Sequence, residues 1–286
     1  MSVTSSVRTV GSLVAVPRGR RAGQTQALLR TLTARAAEVG RRAAVAVAVL
    51  ILWQLASAWG WIDRSTLASP AEVAGLFREY LRDGSLIDNT WVSLRRVLIG
   101  FAIGGSLGTV AGIVAGLSRV GEQLIDTPLQ MLRALPFLGL MPLLIVWLGI
   151  DEALKIGLVA IGVIFPIYLN LHKGIRSVDP RFAELARIHG LSRGQLIRRV
   201  IVPGALPSYL IGVRFALGIA WLSLVVAETV NAEAGIGYLL MRGREYVRTD
   251  MIVLGLVIYA VLGLLMELAV RLLERFVLRW RTEFVR

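Results

Sequence analysis

The sequence predicts an all-α integral membrane protein of about six transmembrane helices. Three observations carry that reading. Of its 286 residues 56% are apolar and only 18% are charged, whereas a soluble domain carries about 25% charged residues. Mean hydropathy is +0.68. The polar residues gather in clusters between long apolar runs, as they do when the runs face lipid and the clusters face water.

The same composition excludes several function classes. Cysteine is absent, so there is no disulfide framework, thiolate metal site or cysteine nucleophile. Two histidines, His172 and His189, are too few for a histidine metal centre, and no metal site is expected. The net charge of +13 would suit a nucleic-acid binder. On a membrane protein it has a simpler cause, because basic loops are held on the cytoplasmic side. No nucleic-acid partner is expected.

The elements follow in order. Residues 1–42 read as a basic, partly disordered N-terminal tail, with a short surface helix over Ala27–Arg42. A six-span transmembrane domain is expected over 43–270. Its first span is Ala43–Trp61, with Trp53, Trp59 and Trp61 as interfacial anchors. A mixed-charge segment on the water side follows, from Asp63 to Arg96. It contains an amphipathic helix that starts with Ser69 as N-cap, Pro70 at the first helical position and Glu72 in the first turn.

The second span is Val97–Leu117. It carries Gly100, Gly104, Gly108, Gly112 and Gly116, a spacing of four that puts all five on one helix face. Such a groove lets a second helix come close. Gly162 lies off this ladder. The third span, Leu135–Gly149, holds Pro136 and Pro142 and should be kinked or broken. The fourth is Ile156–Leu171, with Pro166 inside it. The fifth is Leu206–Ala227 and the sixth Met251–Ala269, followed by a basic C-terminal tail over 271–286.

Arginines and lysines concentrate in the N-terminal tail, in 172–202 and in the C-terminal tail. Six spans put those three regions on one side, and the positive-inside rule makes that side cytoplasmic. A multi-pass protein of the plasma or inner membrane, with both termini in the cytoplasm, is expected.

The longest polar stretch of the interior, 177–203, reads as two short helices. Asp179 and Pro180 start the first, and Gly190 ends it in a left-handed conformation. The second runs from Ser192 to Val200, and Pro203 precedes re-entry into the membrane. The loop is either a docking hairpin for a partner or a solvated connector.

Few ionisable residues fall at membrane depth. Arg214 would either touch an anion in transit or reach the headgroups. Glu228 would either help a gate or cap a helix. The chain has no phosphate-cradling G-x-x-x-x-G-K-[ST] sequence and no reactive pair inside the spans, so no catalytic residue is expected.

Glu184-x-Ala186, then Gly190, then Val200-Ile201-Val202-Pro203 resembles the EAA loop of ABC-importer permeases. Leu185 stands where the family has its first alanine. The runs Ser93–Gly112, Leu135–Ile150, Phe165–Pro180, Gly212–Glu228 and Gly235–Leu240 are similar to the nitrate/sulfonate/taurine branch of that family. The resemblance implies the type I importer permease fold and an ATPase-coupling loop over 177–203, with Glu184, Ala186, Gly190 and Pro203 as its site residues. It implies two copies of a separate ATP-binding subunit, which hold ATP and Mg, and no cofactor in this chain. It also implies a second copy of the permease, a solute-binding protein outside, and a small anionic solute of the aliphatic sulfonate, taurine or nitrate type. The alternative is a stand-alone secondary transporter, which would carry inverted repeats and more midplane charge. Neither is visible. A membrane-embedded enzyme would need a reactive cluster, and none is visible.

Overall fold

A computed structural model describes Arg41 and residues 44–278. The expectations for the rest of the N-terminal tail, and for the chain beyond Leu278, lie outside the described residues. The chain divides into two compact units, Met1–Ala56 and Ser57–Arg286. The first supplies most of the apolar helix α1 (Ala44–Ala58). Every described regular element is helical.

In the second unit, Trp59 and Trp61 meet edge to face with ring centroids 5.3 Å apart. Helix α2 (Pro70–Arg82) begins where the sequence places it. The Ser69 hydroxyl accepts from the Glu72 amide and the Glu72 carboxylate accepts from the Ser69 amide, a full capping box. The Ser69 amide foremost, and the Ser69 hydroxyl donating to the same carboxylate at 3.0 Å, hold the Glu72 carboxyl below its ordinary range. Helix α3 (Ser85–Leu117) corrects the sequence reading. The segment expected on the water side up to Arg96 forms its first turns. At about 1.5 Å per residue α3 is about 50 Å long, against about 30 Å of hydrocarbon, so those turns fit beyond the apolar layer.

Helix α4 (Arg119–Ala134) follows a Ser118 cap. The third expected span is broken, as its prolines require. After Leu135 and Pro136 come a short 3-10 turn (Phe137–Leu140) and helix α5 (Met141–Leu148). Helix α6 (Glu152–Arg176) runs through Pro166. Then come α7 (Pro180–Ile188), α8 (Arg193–Leu196), a π turn over Ile197–Ile201 and α9 (Val202–Glu228). The sequence separates the second loop helix from the fifth span at Pro203. The structure joins them into one helical path, Arg193–Glu228. A π turn leaves backbone carbonyls unbonded without ending the helix, so it can accommodate a proline that has no amide to give. Helices α10 (Ile236–Glu245) and α11 (Thr249–Val277) complete the chain, with α11 extending past the expected end of the sixth span.

Helix directions follow from the contacts. Gly100 faces Val159, Gly108 faces Ile164 and Gly116 faces Ile175, so α3 and α6 run parallel. Gly174 faces Ala205 and Gly162 faces Ile219, so α9 runs antiparallel to α6. Two parallel neighbours require the intervening chain to cross back once. The bent α4–α5 segment does so. Tyr168, near the far end of α6, donates to Asp126 of α4 at 2.7 Å, whereas α5 packs Leu144 against Leu154 and Leu158 near the start of α6. By length and composition, α3, α6, the Arg193–Glu228 path and α11 are each long enough to cross a membrane, and the bent segment, taken as one span, is a fifth. The apolar helix α1 is the sixth apolar segment. The main core lies between α3, α6, α9 and α11, around Val97, Val163, Ile167, Leu224 and Leu254.

Candidate functional site

The glycine ladder of α3 lies against α6. All five glycines are buried. A Cβ built on Gly104 would stand 2.9 Å from the Ala160 Cα, and closer still to its carbonyl oxygen; one on Gly108 would stand 2.6 Å from the Ile164 carbonyl oxygen. Side chains would force the backbones apart. Gly162 belongs to a second tight contact, because its Cβ would meet the Ser223 hydroxyl at 2.7 Å and Ile219 at 2.9 Å. It is therefore not the open position its place off the ladder suggests.

Where α6 ends, the 177–203 loop is built from local capping. The Asp179 carboxylate accepts the Arg181 amide at 2.9 Å, which starts α7 behind Pro180. At the other end the Leu191 amide returns to the Ala186 carbonyl at 3.0 Å. This is the six-to-one bond of a Schellman stop, with Gly190 at φ +72°. Nothing lies within 4 Å of a Cβ placed on Gly190, so its requirement is conformational rather than steric within the chain. Ser192 and Gln195 form a second capping box and start α8. Ala186 is buried and Glu184 is exposed. Phe182, Leu185 and Ile188 are 58%, 50% and 81% exposed. Three apolar side chains at a spacing of three thus face outward on one side of α7. Pro203 sits at the start of α9, directly after the π turn. Spacing alone placed Glu184, Ala186 and Gly190 on one short helix and its stop.

Arg214 lies near the same end. It faces α11, pairing with Glu274 and standing 3.5 Å from Glu267. Its charge is thus matched inside the chain.

The opposite end of the bundle holds Glu228, which is fully buried. Its carboxylate accepts from the Ser93 hydroxyl at 2.8 Å, Arg96 Nη1 at 2.6 Å, the Gly237 amide at 2.8 Å and the Tyr259 hydroxyl at 2.7 Å. Gly237 is in the first turn of α10, so Glu228 caps the following helix from outside while closing a charge pair. Arg96 also donates from Nε to Glu152 at 2.8 Å and from Nη1 to the Ala234 carbonyl at 2.7 Å. Ser93 accepts the Ile236 amide, and Asn89 the Gly235 amide, each at 2.8 Å. One carboxylate and one guanidinium therefore tie α3, α6, α9, α10 and α11 together. Lys155 is buried beside them.

The sequence reading missed Arg96, Ser93, Glu152, Lys155 and Tyr259. A signal for Arg96 existed, since it lies four residues before Gly100 and continues the ladder onto the packed face. A charge on a packed face must find a partner.

Among the described residues no group of three or more His, Cys, Asp or Glu side chains is placed to hold a metal ion. The described residues offer packing faces, an exposed apolar helix and buried charges.

Comparison with known proteins agrees with that architecture. Residues 108–279 match the family described as binding-protein-dependent transport system inner membrane component. A permease protein assigned to aliphatic sulfonates transport in Escherichia coli (strain K12), SsuC, is 50% identical over 83% of this chain and 90% of its own length. Its counterpart in Bacillus subtilis (strain 168) is 41% identical over 82% of this chain and 86% of its own length. Among solved structures, an inward-facing MetNI methionine ABC transporter superposes with a TM-score of 0.56 at 18% identity, covering 68% of this chain and 97% of that one. That likeness shows the shared type I importer permease fold. The matched segment includes the 177–203 loop, Arg214 and Glu228, and the chain belongs to the binding-protein-dependent transport system inner membrane component family.

Proposed function

We propose that this chain forms half of the translocation pathway of an ATP-driven importer for a small anionic solute, an aliphatic sulfonate before taurine or nitrate, and that it couples to a separate ATPase subunit through the 177–203 loop. The observation that carries the coupling is the exposed face of α7. Phe182, Leu185 and Ile188 point outward beside Glu184, on a helix fixed at both ends by capping; after the Gly190 stop, α8 continues through the π turn into α9. An amphipathic helix of this kind suits a groove on a partner, and the continuous path to Glu228 makes a rigid lever. The names of the two sulfonate relatives favour the solute class.

Two copies of the permease pair around the pathway, and two ATPase subunits hold ATP and Mg and receive the two loops. Their closure brings the loops together, and the packed helices rock as blocks to open the outer side. A solute-binding protein delivers the solute there. Both termini and the 177–203 loop lie in the cytoplasm. The test is ethanesulfonate uptake into proteoliposomes that contain the permease, its ATPase and the binding protein. Uptake should require ATP and all three components. Uptake by the permease alone, driven by an ion gradient, would overturn the reading in favour of a secondary transporter. So would nucleotide binding by the partner-free chain.

A further inference from the structure

At the end of the bundle away from the 177–203 loop, a cavity of about 520 Å³ opens between α3, the start of α6 and the turn from α9 to α10. Arg95, Arg96 and Lys155 line it, together with Asp151, Glu152 and Glu233. The formal charges cancel, but their placement does not. Arg96 already holds Glu152 and is shared with Glu228. Lys155 is only 2% exposed. Among the described residues no carboxylate pairs with it. Its ammonium donates to the backbone carbonyls of Ile150 and Asn231 at 3.3 and 3.4 Å, beyond the ordinary hydrogen-bond range. The Glu152 carboxylate acts on this ammonium through space but is itself held by Arg96, so Lys155 has no carboxylate in direct hydrogen-bond contact.

A second, independent source of positive potential faces the same space. Lys155 stands in the first turn of α6, and Asp151 at its N-cap makes no side-chain hydrogen bond to the free amides there. The positive end of a 25-residue helix dipole adds to the ammonium rather than opposing it. Glu152, in the same turn, offsets part of that potential, but its carboxylate is held by Arg96.

We propose that this cavity is an oxyanion site, with Lys155 as the deep cation and Arg95 as the exposed arm at its rim. Its ligand is a sulfonate-type group. The phosphate of a lipid headgroup offers the same chemistry, and the experiment separates the two sources. The sulfonate source rests on the reading of the chain as an importer of anionic solutes; the site itself does not. The volume lies in the range of about 300–1,000 Å³ usual for small-molecule sites.

The test is ethanesulfonate binding to the purified permease in lipid-free detergent, by calorimetry, with ethylammonium as the control. Lys155→Met should weaken binding by about tenfold or more, Lys155→Arg by no more than about threefold because the charge is kept, and Arg95→Gln should weaken it too. A second arm places the protein in nanodiscs of phosphatidylcholine, with and without phosphatidylglycerol. Ethanesulfonate binding that persists with phosphatidylglycerol present supports the site and names the solute. Displacement of ethanesulfonate by phosphatidylglycerol that depends on Lys155 supports the site and names the lipid. No oxyanion binding in either arm, or unchanged binding by Lys155→Met, would overturn it. If Lys155→Met does not fold, Arg95→Gln carries the test, and unchanged binding there overturns the site. Copurification of the ATPase with each variant keeps this result separate from the importer reading, because that contact is made at the other end of the bundle.

Discussion

Replacing Gly104 with alanine adds one methyl group where α3 meets α6 most closely. The new carbon would sit 2.9 Å from the Ala160 Cα and nearer to its carbonyl oxygen, against about 3.5–4.0 Å for comfortable carbon contacts. The neighbours there are backbone atoms, not a flexible side-chain end, so the helices must part by about 1 Å, and the ladder positions on either side lose their fit. Overpacking of this kind costs about 1–3 kcal/mol. Gly218, in α9, has nothing within 4 Å of its virtual Cβ, and alanine there gains about 1 kcal/mol of helix propensity. Gly104→Ala gains the same propensity, so the two variants should differ by the overpacking cost, about 1–3 kcal/mol, or about 2–12 °C in apparent melting temperature for a chain of this size. Thermal unfolding in detergent, followed by tryptophan fluorescence, with folded yield from size exclusion, measures the difference. Equal melting of Gly104→Ala and Gly218→Ala would refute the claim that the ladder sets the α3–α6 approach. Gly162 is unsuitable as the open control, because Ser223 and Ile219 occupy the space its side chain would need.

Other outcomes follow from the buried charges and the caps. Arg96→Met leaves the fully buried Glu228 without its ionic partner and should cost about 3–5 kcal/mol; the double variant with Glu228→Gln should recover part of that loss, and a double variant no more stable than Arg96→Met would contradict the pairing. At α2, Ser69→Ala should destabilise the first turn by about 1 kcal/mol, read as faster amide exchange. The Glu72 carboxyl has its pKa lowered in the folded state, so its contribution is present above the ordinary carboxylate range and is lost as pH falls through the folded value. Amide protection in that turn should therefore decline on the acid side of 4.5, and Glu72→Gln should flatten the decline; a wild-type profile flat down to the acid limit would count against the capping box.

Capping and stop signals correspond to the local structure they predict. Ser69, Pro70 and Glu72 start α2, and Asp179, Pro180 and Gly190 bound α7, because caps and left-handed stops are decided within a few residues. Periodicity identified the packed face of α3 but not its partner, since a spacing of four reveals a groove and says nothing of what fills it. The Glu228 network stayed hidden for the same reason. Arg96 and Glu228 are 132 residues apart, and each reads alone as a charge near a span end. The joining of α8 to α9 was obscured by Pro203, whose usual meaning as a helix boundary gives way when a π turn precedes it. Gly162 looked open because only the α3 ladder was visible, while its own partners lie on α9.

The central claim is that α7 couples this chain to an ATPase, and copurification tests it most directly. Glu184→Lys reverses a charge beside the exposed apolar stripe, and losing one side of a desolvated interface charge contact costs about 2–5 kcal/mol, enough to weaken assembly about 30-fold or more. Gly190→Val forces a β-branched residue into a left-handed position at φ +72°, with no clash inside the chain. Both variants should insert and fold, Gly190→Val with a local strain confined to the end of α7, yet lose the ATPase subunit on purification and lose ethanesulfonate uptake in proteoliposomes. Normal ATPase recovery and normal uptake by both would contradict the account and leave 177–203 as a connector between α6 and α9.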